Sequence, residues 1–371
     1  MSHKDRLVKF RAALSKARLD GFIINRADMY QGEEVPACEE RLAYLSGFTG
    51  SAGFAIVLRE IAGLFSDGRY SLQMEAETSK RNWQCNTMPD VNFEGWLRAA
   101  QLPDGFKIGI DGWLVTVSDF ERFEEGVGSA GGSLVSHREN LLDALWRDRP
   151  VFRPSPLWQM SQKFAHKTVT QKLDDLGKRL EETGCEAVLI TRADSVNWLV
   201  NMRGADLPFT PITLCFALFH RQRGLYIFGD EMALGLVLGD NVRATPLANL
   251  PTLLEKIGKG SLMIETTSLP KAMFEQISAS QVKTVKAACP IAKAKACKND
   301  AELNGFRAAH RRDGAAMVEF LCWLDQEMQI PNAGFFESEI VKKLHAFRRQ
   351  QEGFVASSFN TIAGSGPNGA L

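Results

Sequence analysis

Histidines are the first candidates for chemistry in this sequence, because their side chains bind metals and transfer protons. The six are dispersed, without the H-E-x-x-H spacing or another close pairing that a zinc site requires. They are His3, His137, His166, His220, His310 and His345. His310 falls on the apolar stripe of a predicted helix, which favours a packing role over a ligand role. The histidine spacing therefore predicts no metal site.

Three glycines near the end of the chain formally match the dinucleotide-binding pattern G-x-G-x-x-G, namely Gly364, Gly366 and Gly369. That pattern must open a helix and be followed about 20 residues later by an acidic side chain. The sequence ends two residues after Gly369, and Pro367 interrupts the loop. Asn368-Gly369 instead predicts a tight hairpin turn after a strand at 354–362. Since no second strand follows, we expect the chain to be cut within a domain.

The seven cysteines are scattered and odd in number, without the spacing of a zinc knuckle or a redox dithiol. This usage is typical of buried or idle thiols in a reducing compartment. The first residues mix charged side chains with apolar ones at helical spacing, and the sequence has no long apolar run. Both features predict a cytoplasmic protein. Lys+Arg and Asp+Glu both number 44, and 45% of the residues are hydrophobic. This balance predicts a soluble protein acting on small molecules or peptides, without a nucleic-acid or membrane partner.

An internal repeat organises the first 295 residues. An amphipathic helix, a turn and an apolar strand near 7–24 recur near 173–190, at an offset of 166 residues. The same offset places Arg192-Ala193-Asp194 on Arg26-Ala27-Asp28, and one insertion accounts for a later drop to 154. We predict two homologous α/β domains, 1–150 and 155–295, joined by the proline-rich linker at 149–156.

A third unit is predicted for residues 298–371. Asn299 is placed as an N-cap, with Glu302 positioned to complete a capping box. Apolar residues at three- and four-residue spacing then predict a long helix, and a second helix is predicted near 337–350.

Over nearly its whole length the chain resembles the cytosolic, three-domain Xaa-Pro aminopeptidases (aminopeptidase P) of the M24 peptidase, creatinase-like family. The matching segments are RLAYLSGFTGSAG at 41–53, SDGRY at 66–70, NLLD at 140–143, WRDRP at 146–150, WLVNMRG at 198–204, KN at 298–299 with Glu302, AH at 309–310 and SFNTIAG at 358–364. Their order and the duplicated domain carry the resemblance.

The resemblance implies two creatinase-type amino-terminal domains, each a mixed sheet flanked by helices, followed by an α+β "pita-bread" catalytic domain. It also implies two divalent metal ions, usually Mn²⁺, whose bridging hydroxide attacks the peptide bond before proline. Peptides with proline in the second position are the implied substrates, and a homodimer is the implied assembly. All five family metal ligands are expected beyond Leu371. We therefore expect no catalytic and no metal-binding residue within 1–371, and no activity of these residues alone.

Three residues are candidates for substrate contact through the resemblance. Arg69 matches an arginine that contacts the bound peptide from the first domain; the alternative is a turn arginine paired with Asp67. Arg203 ends the equivalent strand of the second domain and faces either the catalytic domain or a structural neighbour. Phe359 is either a pocket wall or a core residue.

Two other functions stay open from the sequence. Pita-bread relatives without metals serve as chaperone or binding modules, so a non-catalytic scaffold is one alternative. A prolidase- or creatinase-like hydrolase is the other, which the duplicated domain disfavours because those relatives carry a single amino-terminal domain. The metal ligands expected after Leu371 would separate the enzyme from the scaffold.

Overall fold

Two six-stranded mixed sheets dominate the structure, a computed structural model that describes residues 1–235, 242–331 and 334–369. The first sheet contains β1 Gly21–Asn25, β2 Phe54–Leu58, β3 Ala62–Asp67, β4 Gln84–Met88, β5 Lys107–Asp111 and β6 Ser133–His137. Its strand order is β4-β3-β2-β1-β5-β6. Its helices are α1 His3–Lys16, α2 Arg41–Ser46, α3 Ser71–Glu77, α4 Phe93–Ala99 and α5 Val117–Ser129.

A short two-stranded ribbon and a second sheet follow the linker. The ribbon pairs β7 Trp158–Gln159 with β9 Met202–Arg203, and α6 Gln162–Ala165 lies beside it in sequence. The second sheet contains β8 Ala187–Ile190, β10 Phe216–His220, β11 Gly224–Phe228, β12 Val242–Thr245, β13 Ser261–Ile264 and β14 Lys283–Lys286. Its helices are α7 Val169–Glu182, α8 Ala193–Leu199, α9 Glu231–Gly235, α10 Leu250–Ile257 and α11 Lys271–Ser278.

The second sheet repeats the first strand for strand. Its order is β12-β11-β10-β8-β13-β14. In each sheet the first strand pairs antiparallel on one side and parallel on the other, and the outer pairs are parallel. Two apolar layers cover the faces of each sheet, with Phe10 and Phe123 on opposite sides of the first. The α/β fold with duplicated domains, predicted from the sequence repeat, is confirmed.

The two sheets' domains are joined by backbone hydrogen bonds. Val117 N donates to Leu269 O at 2.9 Å, and Ala272 N donates to Gly112 O at 2.8 Å. Gly112 lies at this junction, and a Cβ there would lie 2.5 Å from Ser136 Oγ of the same domain and 3.3 Å from Ala272 of the second domain. The two domains therefore meet as closely packed surfaces.

The third unit is helical in the described residues. It contains α12 Pro290–Ala296, α13 Asp300–Met328 and α14 Glu337–Arg349. The predicted capping box is confirmed: Glu302 N donates to Asn299 Oδ1 at 3.0 Å, and Asn299 N donates to Glu302 Oε2 at 2.9 Å. No helix in the described ranges is long and apolar enough to cross a membrane.

Two local predictions for this unit are wrong. Residues 354–362 form no strand, and Asn368-Gly369 lies in a 3₁₀ turn, Gly366–Gly369, rather than in a hairpin. A strand exists only when a neighbour accepts its backbone hydrogen bonds, and no described strand pairs with this segment. The apolar stripe of α13 is also mostly exposed. His310 is therefore exposed rather than packed, with its Nδ1 2.9 Å from Phe306 O.

Candidate functional site

A cleft of about 500 Å³ lies between the second domain and the start of α13, and it includes Arg203. Met160, Phe164, Trp198, Ile212 and Phe306 supply its apolar wall. Its charged side chains are Lys172, Arg203, Lys295 and Lys298 against Asp194 and Glu302. The surplus of cations makes the cleft suited to an anionic group attached to an apolar body.

Lys172 is the buried cation of this cleft. Its Nζ donates to Trp198 O at 2.7 Å and to Asn201 Oδ1 at 2.6 Å, and it lies 3.8 Å from the centre of the Trp198 ring. Burial lowers the pKa of Lys172 to about 8, because desolvation disfavours the ammonium. The two acceptors and the ring hold its charge in place.

Arg203 lies beside Lys172 on β9 and is half-buried. Its Nη1 donates to Met202 O at 2.8 Å. Burial lowers the pKa of Arg203, and the nearby Glu302 carboxylate opposes that effect. Arg203 lines the cleft between the second domain and α13, and both predicted roles stay open.

Glu302 fastens α13 to the second domain. Its Oε1 accepts a hydrogen bond from Trp198 Nε1 at 3.1 Å, while its Oε2 caps the helix through Asn299 N. Asn299 Nδ2 in turn donates to Ala165 O at 3.1 Å. Because both carboxylate oxygens have partners, Glu302 positions the cleft rather than serving as a free base.

Arg69 lies outside this cleft, on the exposed 3₁₀ turn Gly68–Tyr70. Its guanidinium forms two parallel hydrogen bonds with Asp67, Nε to Oδ1 and Nη2 to Oδ2, both at 2.9 Å. These hydrogen bonds raise the pKa of Arg69 and lower that of Asp67. The Asp67 pairing, which the sequence offered as the alternative, is present, and two-thirds of the Arg69 side chain is exposed.

Phe359 is 63% exposed and lies in a segment without helix or strand. It does not line the cleft that contains Arg203. The structure therefore brings none of the three predicted substrate-contact residues into a common site. Within the described ranges, no three His, Cys, Asp or Glu side chains are grouped so that they could hold a metal ion.

Sequence reasoning missed Lys172 and the Trp198–Glu302 contact. A signal for Lys172 was present, because it precedes Leu176 and Leu180 by four and eight residues and so falls on the apolar stripe of α7. The Trp198–Glu302 contact joins residues about one hundred positions apart, and no local pattern predicts it.

Three family models match this chain. Residues 6–145 and 148–302 each match the creatinase/prolidase N-terminal domain, and residues 304–371 match metallopeptidase family M24. The solved X-prolyl aminopeptidase from Caenorhabditis elegans, described as a cytosolic enzyme with a di-nuclear active site, superposes with a TM-score of 0.87. It is 25% identical, and the match covers 100% of this chain and 66% of that one.

Curated relatives match the same span. The probable Xaa-Pro aminopeptidase P of Paracoccidioides lutzii is 34% identical, over 99% of this chain and 62% of the relative. The corresponding protein of Laccaria bicolor is 32% identical, over 99% of this chain and 58% of the relative. The chain thus spans about three-fifths of the length of the curated relatives it matches. It belongs to the creatinase/prolidase and M24 metallopeptidase family, with two creatinase/prolidase N-terminal domains preceding the M24 region.

Proposed function

We propose that this protein is a metal-dependent aminopeptidase that hydrolyses the first bond of peptides with proline in the second position. The observation that supports this most directly is the likeness over the entire chain to the Caenorhabditis elegans X-prolyl aminopeptidase, whose active site is described as di-nuclear. The relatives named Xaa-Pro aminopeptidase P match the same span. As domain boundaries we propose 1–150, 155–295 and 298–371, with one six-stranded sheet in each of the first two.

The described residues do not fit a dinuclear metal site, since they contain no suitable group of ligands. We propose that two divalent ions, with Mn²⁺ as the expected metal, are bound by residues outside the described ranges. No catalytic step is therefore assigned to a side chain of this chain. Its contribution is the frame formed by the two sheets and by α13, which Glu302 fastens to the second domain.

The cleft around Lys172 and Arg203 is the part of this chain that we propose contacts the substrate. Its surplus positive charge and apolar wall suit the carboxylate end of a short peptide. Arg69 remains a proposed contact from the first domain: its guanidinium is exposed while Asp67 holds it in one orientation. Phe359 remains a proposed pocket wall, and its exposure leaves the ring available to a ligand.

The test is Mn²⁺-dependent release of the first residue from an Xaa-Pro peptide, with the matching Xaa-Ala peptide as control. We expect activity from the complete reading frame that contains these 371 residues, and none from residues 1–371 alone. Loss of activity with a chelator and its return with Mn²⁺ would support the metal requirement. An inactive complete protein that still folds would refute the enzyme and favour a non-catalytic binding module.

We further propose a cytoplasmic homodimer without a nucleic-acid or membrane partner. The relative from Caenorhabditis elegans is described as cytosolic, and the chain has no net charge. Light scattering of the complete protein tests the assembly, and a monomer at micromolar concentration would contradict it.

A further inference from the structure

A second cavity, of about 610 Å³, lies where the first domain meets the linker and the second domain. Met29, Tyr30, Trp113, Leu114, Phe152 and Leu214 form its apolar wall. Its volume falls in the range that holds small organic ligands, roughly 300 to 1,000 Å³. This cavity is separate from the cleft around Lys172, with which it shares no lining residue.

A closed ring of ion pairs forms one side of this cavity. Arg41 binds Asp143 through two hydrogen bonds of 2.6 and 2.9 Å and also contacts Glu39. Arg149 binds the same two carboxylates, each at 2.8 Å. Two guanidinium groups thus neutralise two carboxylates, and within the described residues neither forms an ion pair with another carboxylate of the cavity. The charge of Arg41 does favour the ionised form of Asp111. Arg138 and Glu139, both exposed, add one charge of each sign.

Two further carboxylates line the cavity without an ion-pair partner among the described residues. Asp111 is 6% exposed, and its oxygens accept hydrogen bonds from Trp113 N at 2.9 Å and Asn140 Nδ2 at 3.1 Å. Asp28 is 2% exposed and accepts a hydrogen bond from Tyr30 N at 2.9 Å through Oδ1. Its Oδ2 is buried and has no hydrogen-bond partner among the residues that the structure describes. An unmatched buried carboxylate is costly unless something else supplies a donor.

The internal repeat offers a comparison within the same molecule. Asp194 occupies the position of Asp28 in the second domain, and Lys295 of α12 contacts it through Nζ. Asp194 has this cation although 45% of its side chain is exposed. Asp28 is far more buried and forms no ion pair with any described residue. The same position in two homologous domains therefore has its counter-charge in one and lacks it in the other.

We propose that this cavity is a binding site for a small organic ammonium ion. Its ammonium group would donate hydrogen bonds to Asp28 and lie beside Asp111, in the place that Lys295 takes in the second domain. Its apolar body would pack between Tyr30 and Trp113, whose rings also attract a cation. A bare metal ion fits less well, because the wall is apolar and the described residues hold no grouped ligands.

The test is calorimetric titration of the protein at pH 8 with phenethylamine, compared with 2-phenylethanol, its neutral analogue of similar shape. We expect the amine to bind at least about tenfold more tightly than the alcohol, because only the ammonium matches the carboxylates. Asp28→Asn should weaken amine binding about tenfold or more. Asp194→Asn is the matched control at the equivalent position and should leave binding within twofold.

Three results would overturn the proposal. The first is no detectable binding with the amine at about 10 mM, roughly the weakest affinity that would matter for a free ligand. The others are equal affinities for the amine and the alcohol, or an amine affinity that Asp28→Asn leaves unchanged. Trp113→Ala is a second variant. It should weaken the binding of both compounds, because it removes part of the apolar wall. Thermal unfolding of each variant checks that it is folded. The readout is binding rather than peptidase activity, so failure here is distinct from failure of the proposed function.

Discussion

Replacing Asp28 by asparagine should change how the stability of this protein depends on pH. Burial raises the pKa of Asp28 from 3.8 to about 6, and the nearby Glu39 carboxylate adds to that effect. The hydrogen bond from Tyr30 N opposes it without cancelling it. The Arg41 and Arg149 guanidinium groups are occupied by Glu39 and Asp143, so they give Asp28 no ion pair.

The magnitude follows from linkage between protonation and folding. The folded state binds the Asp28 proton more tightly than the unfolded state. The contribution of protonated Asp28 to the free energy of unfolding is therefore fully present below about pH 4, and it is lost as the pH rises through about 6. A shift of roughly two pKa units corresponds to about 3 kcal/mol at about 1.4 kcal/mol per unit. Asparagine cannot ionise and escapes this loss. The difference in free energy of unfolding between Asp28→Asn and wild type should therefore shift by about 3 kcal/mol in favour of the variant from pH 4 to pH 8.

Urea unfolding of both proteins between pH 4 and pH 8, followed by tryptophan fluorescence, measures this difference. Asp194→Asn is the control, because the Asp194 carboxylate, at the position equivalent to Asp28, is half exposed and contacts Lys295. A carboxyl ¹³C titration of Asp28 by NMR tests the cause directly. Parallel stability curves for wild type and Asp28→Asn, or a titration midpoint near 4, would refute the argument.

Three further predictions concern the frame and the substrate contact. Glu302→Ala should destabilise the docking of α13 by about 1–2 kcal/mol, because the helix loses a cap and a side-chain hydrogen bond. Faster hydrogen exchange in α13 would show this, and replacing the exposed Glu319 of the same helix by alanine should leave the exchange rates unchanged. Gly112→Ala should lower the free energy of unfolding by about 1 kcal/mol, since its Cβ would displace the Ser136 hydroxyl and press against Ala272 across the domain junction. Gly128→Ala, with open space around it, should be neutral or slightly stabilising. Arg69→Ala should leave the unfolding midpoint unchanged and raise KM for Xaa-Pro peptides in the complete protein; an unchanged KM would remove it from the substrate contacts.

The sequence alone determined the duplicated architecture. Helix and strand periodicities are local, and their recurrence at a constant offset requires no knowledge of contacts. The identical pairing order of the two sheets therefore followed from the pattern. The capping box of Asn299 and Glu302 was predictable for the same reason, because its two partners are three residues apart.

Features that need distant partners were not predictable in this way. Residues 354–362 carry a strand-like pattern, yet a strand forms only beside another one, and no described strand pairs with them. The apolar residues of α13 recur with helical periodicity, but periodicity does not show how much of that apolar face another element covers. In the structure, α13 is buried only around Ala316 and Phe320.

The repeated tripeptide Arg-Ala-Asp shows the division most clearly. The sequence establishes that Asp28 and Asp194 are equivalent, since both follow the first strand of a homologous domain. Only the tertiary structure decides that α12 brings Lys295 to Asp194, whereas no described cation pairs with Asp28 in the cavity at the linker and the second domain. Charge compensation depends on which chain segments pack around a side chain. Two copies of one motif therefore acquired different chemistry.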